Sequence, residues 1–375
     1  MKLAGPWLTP TTPCLTETPL VESFGEEVTN ATNSAFAVAA DPQSLELVIA
    51  EIPIRLRATD PRLLAAFSDA LTHHVVPRSS TSPDLPCLEI RIWSSKATGI
   101  ERPRMPESIR QRVMARRADL APGAGYQMDF DATGRILTMM NPNSGSVDVC
   151  ISDIANLPQW ERAAPLRSAL GWILRRSDRH LLHAAAVTNS QGAALLLGAG
   201  GAGKSTTSLR CRQEGMGFLG DDICVIEAKP NPRIFNLYGT AKTVWSDKGR
   251  FPELDQYLVT DPTIGDYKAV YAVNKSANHL IVDSSELRVL VLVDRSLPVG
   301  EWESIDPARV VALVASTTAS FLPGSGRPML AALSEIARRI PVIRLSVGQD
   351  PKQVAELISS AIDNAMTLPR DARVH

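Results

Sequence analysis

Leu195-Leu196-Leu197-Gly198-Ala199-Gly200-Gly201-Ala202-Gly203-Lys204-Ser205-Thr206-Thr207 is the stretch that decides the fold. It has the form G-x-x-x-x-G-K-[ST], met by Gly198, Gly203, Lys204 and Ser205. An apolar run leads in and a helix-compatible run leads out. That strand–loop–helix setting separates a phosphate-binding loop from a chance match. In such a loop the backbone N–H groups around Gly200, Gly201, Ala202 and Gly203, with the helix start at Lys204, Ser205 and Thr206, form an anion site. Lys204 supplies a point charge for the β- and γ-phosphates, and Ser205 offers its hydroxyl to Mg²⁺. The expected ligand is a nucleoside triphosphate.

The chain has 375 residues, long enough for two domains and at least one large core. A net charge of −1 gives no global basic field, so nucleic acid is not an expected partner. Arg110, Arg112, Arg116 and Arg117 read as a solvated helix face. Cys14, Cys87, Cys150, Cys211 and Cys224 are scattered without a C-x-x-C pair. This points to a reducing compartment and no structural zinc. Cys211 and Cys224 read as small core fillers. No apolar run is long enough to span a bilayer, and Lys2 before a proline-broken segment makes a poor signal peptide. The expected location is cytoplasmic, with no membrane partner. The Asn30-Ala31-Thr32 glycosylation pattern then carries no weight.

Residues 1–43 hold Pro6, Pro10, Pro13 and Pro19 among many polar residues, and read as a poorly ordered lead-in. Residues 44–160 read as a smaller strand-rich α+β domain, placed to recognise an acceptor. It has strands over 45–57, 88–93 and 147–151 and a hairpin of 126–130 with 135–140 across Asp131-Ala132-Thr133-Gly134. A helix over 61–71 has Asp60 as N-cap and Pro61 at its first position. His73-His74 lacks a third ligand at metal spacing and reads as surface histidine.

Residues 161–375 read as the nucleotide-binding α/β domain. Apolar residues Leu166, Leu170, Ile173 and Leu174 predict a helix over 165–176. A strand over 180–187, a turn at 189–192 and a strand over 193–197 suggest a hairpin entering the loop, where a Rossmann start would have a lone first strand. A helix over 204–214 ends on Gly215 as its C′ residue. Asn231-Pro232 and Asp261-Pro262 mark turns. Residues 287–293 form a fully apolar strand, and helices over 328–339 and 351–364 flank a strand over 342–347.

Asp221-Asp222 lies 17 residues beyond Lys204, enough for a helix, a turn and a short strand that return the acids to the phosphates. One Asp at a strand end would hold Mg²⁺, and the second would be free to act as base toward a hydroxyl. Adjacent side chains on a regular strand point to opposite faces, so both can serve only if the backbone bends, and Gly220 allows it. His183 lies 21 residues before Lys204 on an apolar strand.

The order Leu182-His183-Ala184-Ala185-Ala186-Val187, then Gly198 to Ser205, then Gly220-Asp221-Asp222 resembles the catalytic domain of HPr kinase/phosphorylase. The nucleotide core of ATP-dependent phosphoenolpyruvate carboxykinases is a more distant likeness. The match is strong over residues 181–227. It implies a P-loop HPr kinase-like C-terminal domain using ATP and Mg²⁺. Lys204 would contact the β- and γ-phosphates, and Ser205 and Asp222 would lie at the metal. One of Asp221 and Asp222 would be the general base, and His183 would sit beside the transferred phosphate. The stretch that binds HPr is not found downstream of Val225, so the chain looks closer to stand-alone HPr kinase-like proteins. Some of these phosphorylate a serine of a precursor peptide, as lasso peptide kinases do, and others act on small hydroxyl compounds. The expected partner is such a peptide, protein or small-molecule acceptor, and the family's rings and dimers imply a homo-oligomer.

Transfer needs more positive charge than one Lys and one Mg²⁺. Lys242, Arg250 and Lys268 are the candidates, with Lys268 preferred because apolar residues follow it. The alternative to a kinase is a nucleotide-dependent switch or assembly ATPase without an acceptor. The paired aspartates argue against it, since a switch needs only a positioned water.

Overall fold

The computed structural model describes residues 18–77, 88–114, 125–131, 133–259, 268–294, 297–321 and 326–365. It opens with a 21-residue helix, α1 (Thr18–Val38). This overturns the poorly ordered lead-in over Thr18–Val38; residues 1–17, with Cys14, lie outside the described residues. Val21, Phe24, Val28 and Ala35 form one buried stripe on α1, packed against Trp93, Met128, Leu137, Met139 and Cys150. Two of the threonines that disguised it donate within the helix. Thr29 and Thr32 hydroxyls donate to the carbonyls of Gly25 and Val28 at 3.0 and 2.9 Å. Thr32 also accepts a 3.0 Å hydrogen bond from the Trp93 indole Nε1–H in the buried interface. Thr32→Val keeps the shape and orphans that N–H. It is expected to cost about 1–3 kcal/mol, read as a lower unfolding midpoint.

The first sheet has seven strands: β1 (Gln43–Ile49), β2 (Ile52–Ala58), β3 (Val75–Val76), β4 (Leu88–Ser94), β5 (Gln127–Phe130), β6 (Ile136–Met140) and β7 (Val147–Ile151). Their order is β3-β1-β2-β4-β7-β6-β5, with β2–β4 and β4–β7 parallel. The strands expected over 88–93 and 147–151 and the hairpin are present, as is helix α2 (Pro61–Leu71), where Asp60 accepts from the Arg62 N–H. The strand read over 45–57 is instead an antiparallel pair, β1 and β2, because the chain turns at Ala50 and Glu51 with φ 47° and 64°. Short helices α3 (Ser95–Thr98) and α4 (Glu107–Met114) follow β4. Arg110 on α4 is exposed and pairs with Glu107; Arg116, Arg117 and Cys87 lie outside the described residues.

The second sheet contains β8 (Arg179–Leu182), β9 (Ala185–Asn189), β10 (Gly192–Leu197), β11 (Gly217–Gly220), β12 (Cys224–Glu227) and β13 (Arg233–Phe235). A separate ribbon pairs β14 (Thr240–Val244) with β15 (Lys268–Ala272). Then come β16 (Ser284–Val293), β17 (Trp302–Ser304) and β18 (Val342–Leu345). The path runs β11-β9-β10-β16-β13-β12-β8, with β18 and β17 branching from β16. β10–β16 and β16–β18 are parallel. The helices are α5 (Gln159–Ala163), α6 (Arg167–Arg175), α7 (Lys204–Gln213), α8 (Pro307–Phe321), α9 (Gly326–Arg339) and α10 (Pro351–Asp363). Side chains alternate across β10. Leu195 and Leu197 pack toward Val310, Val314, Met329 and Leu333 of α8 and α9, while Ala194 and Leu196 pack toward Cys211 of α7 and Val354 and Ile358 of α10.

Two further expectations need correction. The strand read over 180–187 breaks at His183-Ala184, because the chain changes partners. β8 pairs with β12, whereas β9 pairs with β10 and β11. His73 and His74 do not lie free on the surface. His73 Nε2 lies 2.6 Å from Asn236 Oδ1 and His74 Nε2 lies 3.1 Å from the Leu237 carbonyl, and burial lowers the His74 pKa to about 3.

These contacts join the two halves. Ile54, Leu56 and Phe67 share one core with Leu170 and Ile173 of α6 and with Val225, Leu237 and Tyr238. The division near residue 160 therefore crosses a continuous apolar core. At that crossing Glu161 is fully buried and accepts the Leu166 N–H at 2.7 Å, where Leu166 turns with φ 59° into α6. Burial raises the Glu161 carboxyl to about 7, against the opposing charge of Arg167. A carboxyl raised in the folded state favours folding while protonated, so its contribution is lost as pH rises from the unfolded value toward 7. Glu161→Gln keeps an acceptor for Leu166 and removes this titration. Its stability relative to the native chain should improve by a few kcal/mol between pH 5 and 8, read from paired denaturation curves.

Candidate active site

β10 delivers the chain into the glycine loop and α7 carries it away. Gly203 holds φ 108°, a left-handed conformation that suits glycine, and no side chain caps the first turn of α7. A side chain built at Gly200 or Gly201 would meet nothing within 4 Å, so the loop faces open space. Lys204 is buried and folds back on the loop, donating to the Gly198 carbonyl at 2.9 Å and the Ala199 carbonyl at 3.3 Å. Burial lowers its pKa, and the charges of Asp221 and Asp222 oppose that. Ser205 and Thr206 are half-buried in the first turn.

The acidic pair sits where β11 gives way to β12. Gly220 has φ 149° and Asp222 φ 67°, so the chain bends sharply there. A non-glycine residue in that region is strained, a feature that clusters at functional sites. The bend gives the carboxylates different surroundings. Asp221 is buried, and its Oδ2 accepts the Lys242 backbone N–H at 2.8 Å. Among the described residues its Oδ1 is buried without a hydrogen-bond partner, and the nearby Ser205 hydroxyl favours the charge of the carboxylate. Burial, then the neighbouring Asp222, raises its pKa to about 6. Asp222 Oδ2 forms a 2.6 Å ion pair with Lys242 Nζ, and its Oδ1 lies 3.5 Å from His183 Nδ1. Burial would raise Asp222, but the charges of Lys242 and His183 outweigh it and bring the pKa to about 2.

His183 occupies the break between β8 and β9. Its Nδ1 lies 2.8 Å from the Asp222 carbonyl, an atom that can only accept, so Nδ1 carries the proton. Burial lowers its pKa. Its backbone N–H donates to Thr318 Oγ1 of α8 at 3.3 Å, a partner the sequence did not reveal.

The structure thus brings together His183, the loop, Lys204, Ser205, Asp221 and Asp222. It changes one assignment: the carboxylate beside Ser205 is Asp221, not Asp222. It also changes the choice of added cation. Lys242 contacts both acids, whereas Lys268 is exposed and acts on Asp222 and Lys204 only through its charge. Arg250 pairs with Asp247 at 3.2 Å. The Asp261-Pro262 turn lies outside the described residues.

The Asp221 carboxylate, with an Oδ1 orphaned among the described residues and the Ser205 hydroxyl nearby, fits Mg²⁺, which takes one or two protein oxygens and completes its shell with phosphate and water. No cluster of three or more His, Cys, Asp or Glu able to hold a metal occurs among the described residues, and Mg²⁺ does not need one. Nor is any described helix long and apolar enough to cross a membrane.

No family model matches the sequence, and no curated relative matches it. Among solved structures, the HPr(Ser) kinase/phosphatase from Coxiella burnetii aligns with a TM-score of 0.29 and 13% identity, over 48% of this chain and 95% of that one. At that score the likeness decides nothing, and the chemistry has to be read from the site's own residues.

Proposed function

We propose that this chain is an ATP- and Mg²⁺-dependent kinase that phosphorylates a hydroxyl acceptor, a serine of a peptide or protein or a small hydroxyl compound. The observation that carries this reading is the division of labour in the acid pair. Asp221, which the Ser205 hydroxyl of the phosphate loop reaches, keeps one oxygen without a hydrogen-bond partner among the described residues, while Asp222 pairs with His183 and Lys242. A hydrolysing switch needs a positioned water; a second buried acid is what an incoming alcohol requires.

The loop N–H groups and Lys204 bind and orient the triphosphate, and Lys204 exchanges its loop carbonyls for phosphate oxygens. Mg²⁺, held by Ser205 and Asp221, would neutralise charge on the β- and γ-phosphates. The acceptor oxygen forms a bond to the γ-phosphorus, the bond from that phosphorus to the β–γ bridging oxygen breaks, and ADP leaves. The hydroxyl proton goes to Asp222. The carboxylate becomes competent as base once it is released from its cation. The hydrogen bond from His183 Nδ1 to the Asp222 carbonyl fixes the tautomer and holds the imidazole beside the base.

An acceptor screen tests this reading. The protein is incubated with ATP and Mg²⁺ and with peptide or small-alcohol pools, and the products are weighed. One added phosphate on an acceptor hydroxyl, dependent on Asp222, is the expected result. Acceptor-independent ADP release at the full rate would favour the switch.

A further inference from the structure

We propose that Lys242 is a second phosphate-binding cation of this site, which gives up Asp222 as it takes hold of the transferring phosphoryl group and so frees that carboxylate to accept the hydroxyl proton. The inference rests on the kinase reading above and adds a residue role and an order of events to it.

Position comes first. Lys242 is bound at both ends of its own residue, its backbone N–H to Asp221 Oδ2 at 2.8 Å and its Nζ to Asp222 Oδ2 at 2.6 Å. Its side chain is only 12% exposed, so it is not a solvated surface charge. It therefore borders both acids, and through Asp221 it borders the loop residue Ser205.

The strand that bears it is fixed from behind. The Gly239 N–H donates to the Ala70 carbonyl at 2.9 Å, and the Asn274 N–H donates to the Gly239 carbonyl at 3.2 Å. Tyr238 and Thr240 hydroxyls donate to the carbonyls of Pro165 and Ala163 at 2.7 and 2.5 Å. The backbone of β14 thus serves as a rigid post. The flexible four-carbon stem of Lys242 can swing without moving it.

Charge balance supplies the direction. A triphosphate brings several negative charges into a pocket that already holds two carboxylates. Transfer stabilises charge on the γ-phosphate with cations beyond the loop lysine and the metal. Among the described residues, Lys242 is the cation in direct contact with the acid pair, and Lys268 acts from farther out. An Asp222 locked to Lys242 cannot take a proton readily. When Lys242 turns to the phosphoryl group, one movement strengthens donor binding and releases the base. The site would then arm itself only when a γ-phosphate is present, which limits loss of ATP to water.

The test compares ADP with a non-hydrolysable ATP analogue by calorimetry in the presence of Mg²⁺, using the full chain, Asp222→Asn, and the double variant Lys242→Met with Asp222→Asn. The double variant removes both partners of a buried pair, a change that folds tolerate better than loss of one partner. Asp222→Asn frees Lys242 for the γ-phosphate and should tighten the analogue several-fold, leaving ADP unchanged. The double variant should lose that gain and bind the analogue about tenfold more weakly than Asp222→Asn does, the scale of one charge-assisted hydrogen bond, again with ADP unchanged. Unchanged ADP binding shows that fold and loop are intact, which a merely structural role for Lys242 would not predict alongside a γ-phosphate loss. Full persistence of the Asp222→Asn gain in the double variant would overturn the proposal, as would equal losses for ADP and the analogue. A native chain that binds neither nucleotide would instead overturn the kinase reading, and this proposal with it.

Discussion

Asp222→Asn is expected to lower phosphoryl transfer by about 10²–10⁴-fold, the usual yield of general base catalysis, without weakening nucleotide binding. The amide keeps the size of the carboxylate and can still face His183 and Lys242, but it cannot accept a proton from an alcohol. Asp221→Asn should behave differently. Its Oδ2 position can still accept the Lys242 N–H, yet the buried oxygen beside Ser205 loses its charge. Activity should then fall mainly through a higher Mg²⁺ requirement and recover in part as Mg²⁺ is raised. Titrating Mg²⁺ against initial rate for both variants separates the two. Equal behaviour of the two variants would contradict the assigned roles.

Lys204→Met is the second large effect. The ammonium is buried and, among the described residues, hydrogen-bonds to the Gly198 and Ala199 carbonyls, contacts that phosphate oxygens can replace. Its loss should weaken triphosphate binding on the order of 100-fold, the worth of more than one hydrogen bond to a charged group. Burial already disfavours the charged lysine, so removing it should leave the unfolding midpoint nearly unchanged. Direct binding and thermal unfolding on one sample check both halves of this expectation. A folded variant that binds ATP with native affinity would remove the loop from the account.

Much of the site was legible because its parts are local. The loop, the hairpin that feeds it, the helix that leaves it and the bend at Asp221-Asp222 each depend on residues within a few positions of one another. The parts that were not legible depend on distant partners. Choosing Lys268 over Lys242 followed from local apolar flanks. What matters is the pairing of Thr240–Val244 with Lys268–Ala272, which puts Lys242 over the acids and leaves Lys268 exposed at the end of its strand. Which carboxylate lies near Ser205 was hidden for a similar reason, since it depends on the bend at Gly220 and Asp222 that sets Asp221 toward the loop residue. α1 was hidden by threonines and asparagines whose hydroxyls and amides suggested loop. The stripe Val21, Phe24, Val28 and Ala35 was the signal that could have found it. His73 and His74 read as surface residues because nothing local announces that segment 236–237 will cover them.

The shared core also bears on how the acceptor side of the molecule should be studied. Cutting the chain near residue 155 would expose Leu170, Ile173, Val225 and Tyr238, which pack with residues of the first sheet and α2. Point substitutions in the intact chain are the sound route to the role of residues 44–160, proposed here as the acceptor-recognising part.

The most direct measurement of the central claim is a single-turnover experiment with ATP labelled in the γ-phosphate, run with an acceptor and Mg²⁺. The account predicts label in an acid-stable phosphate ester of the acceptor, appearing as fast as ADP forms and absent with Asp222→Asn. Label released wholly as inorganic phosphate, at a rate indifferent to acceptor and to Asp222, would contradict it.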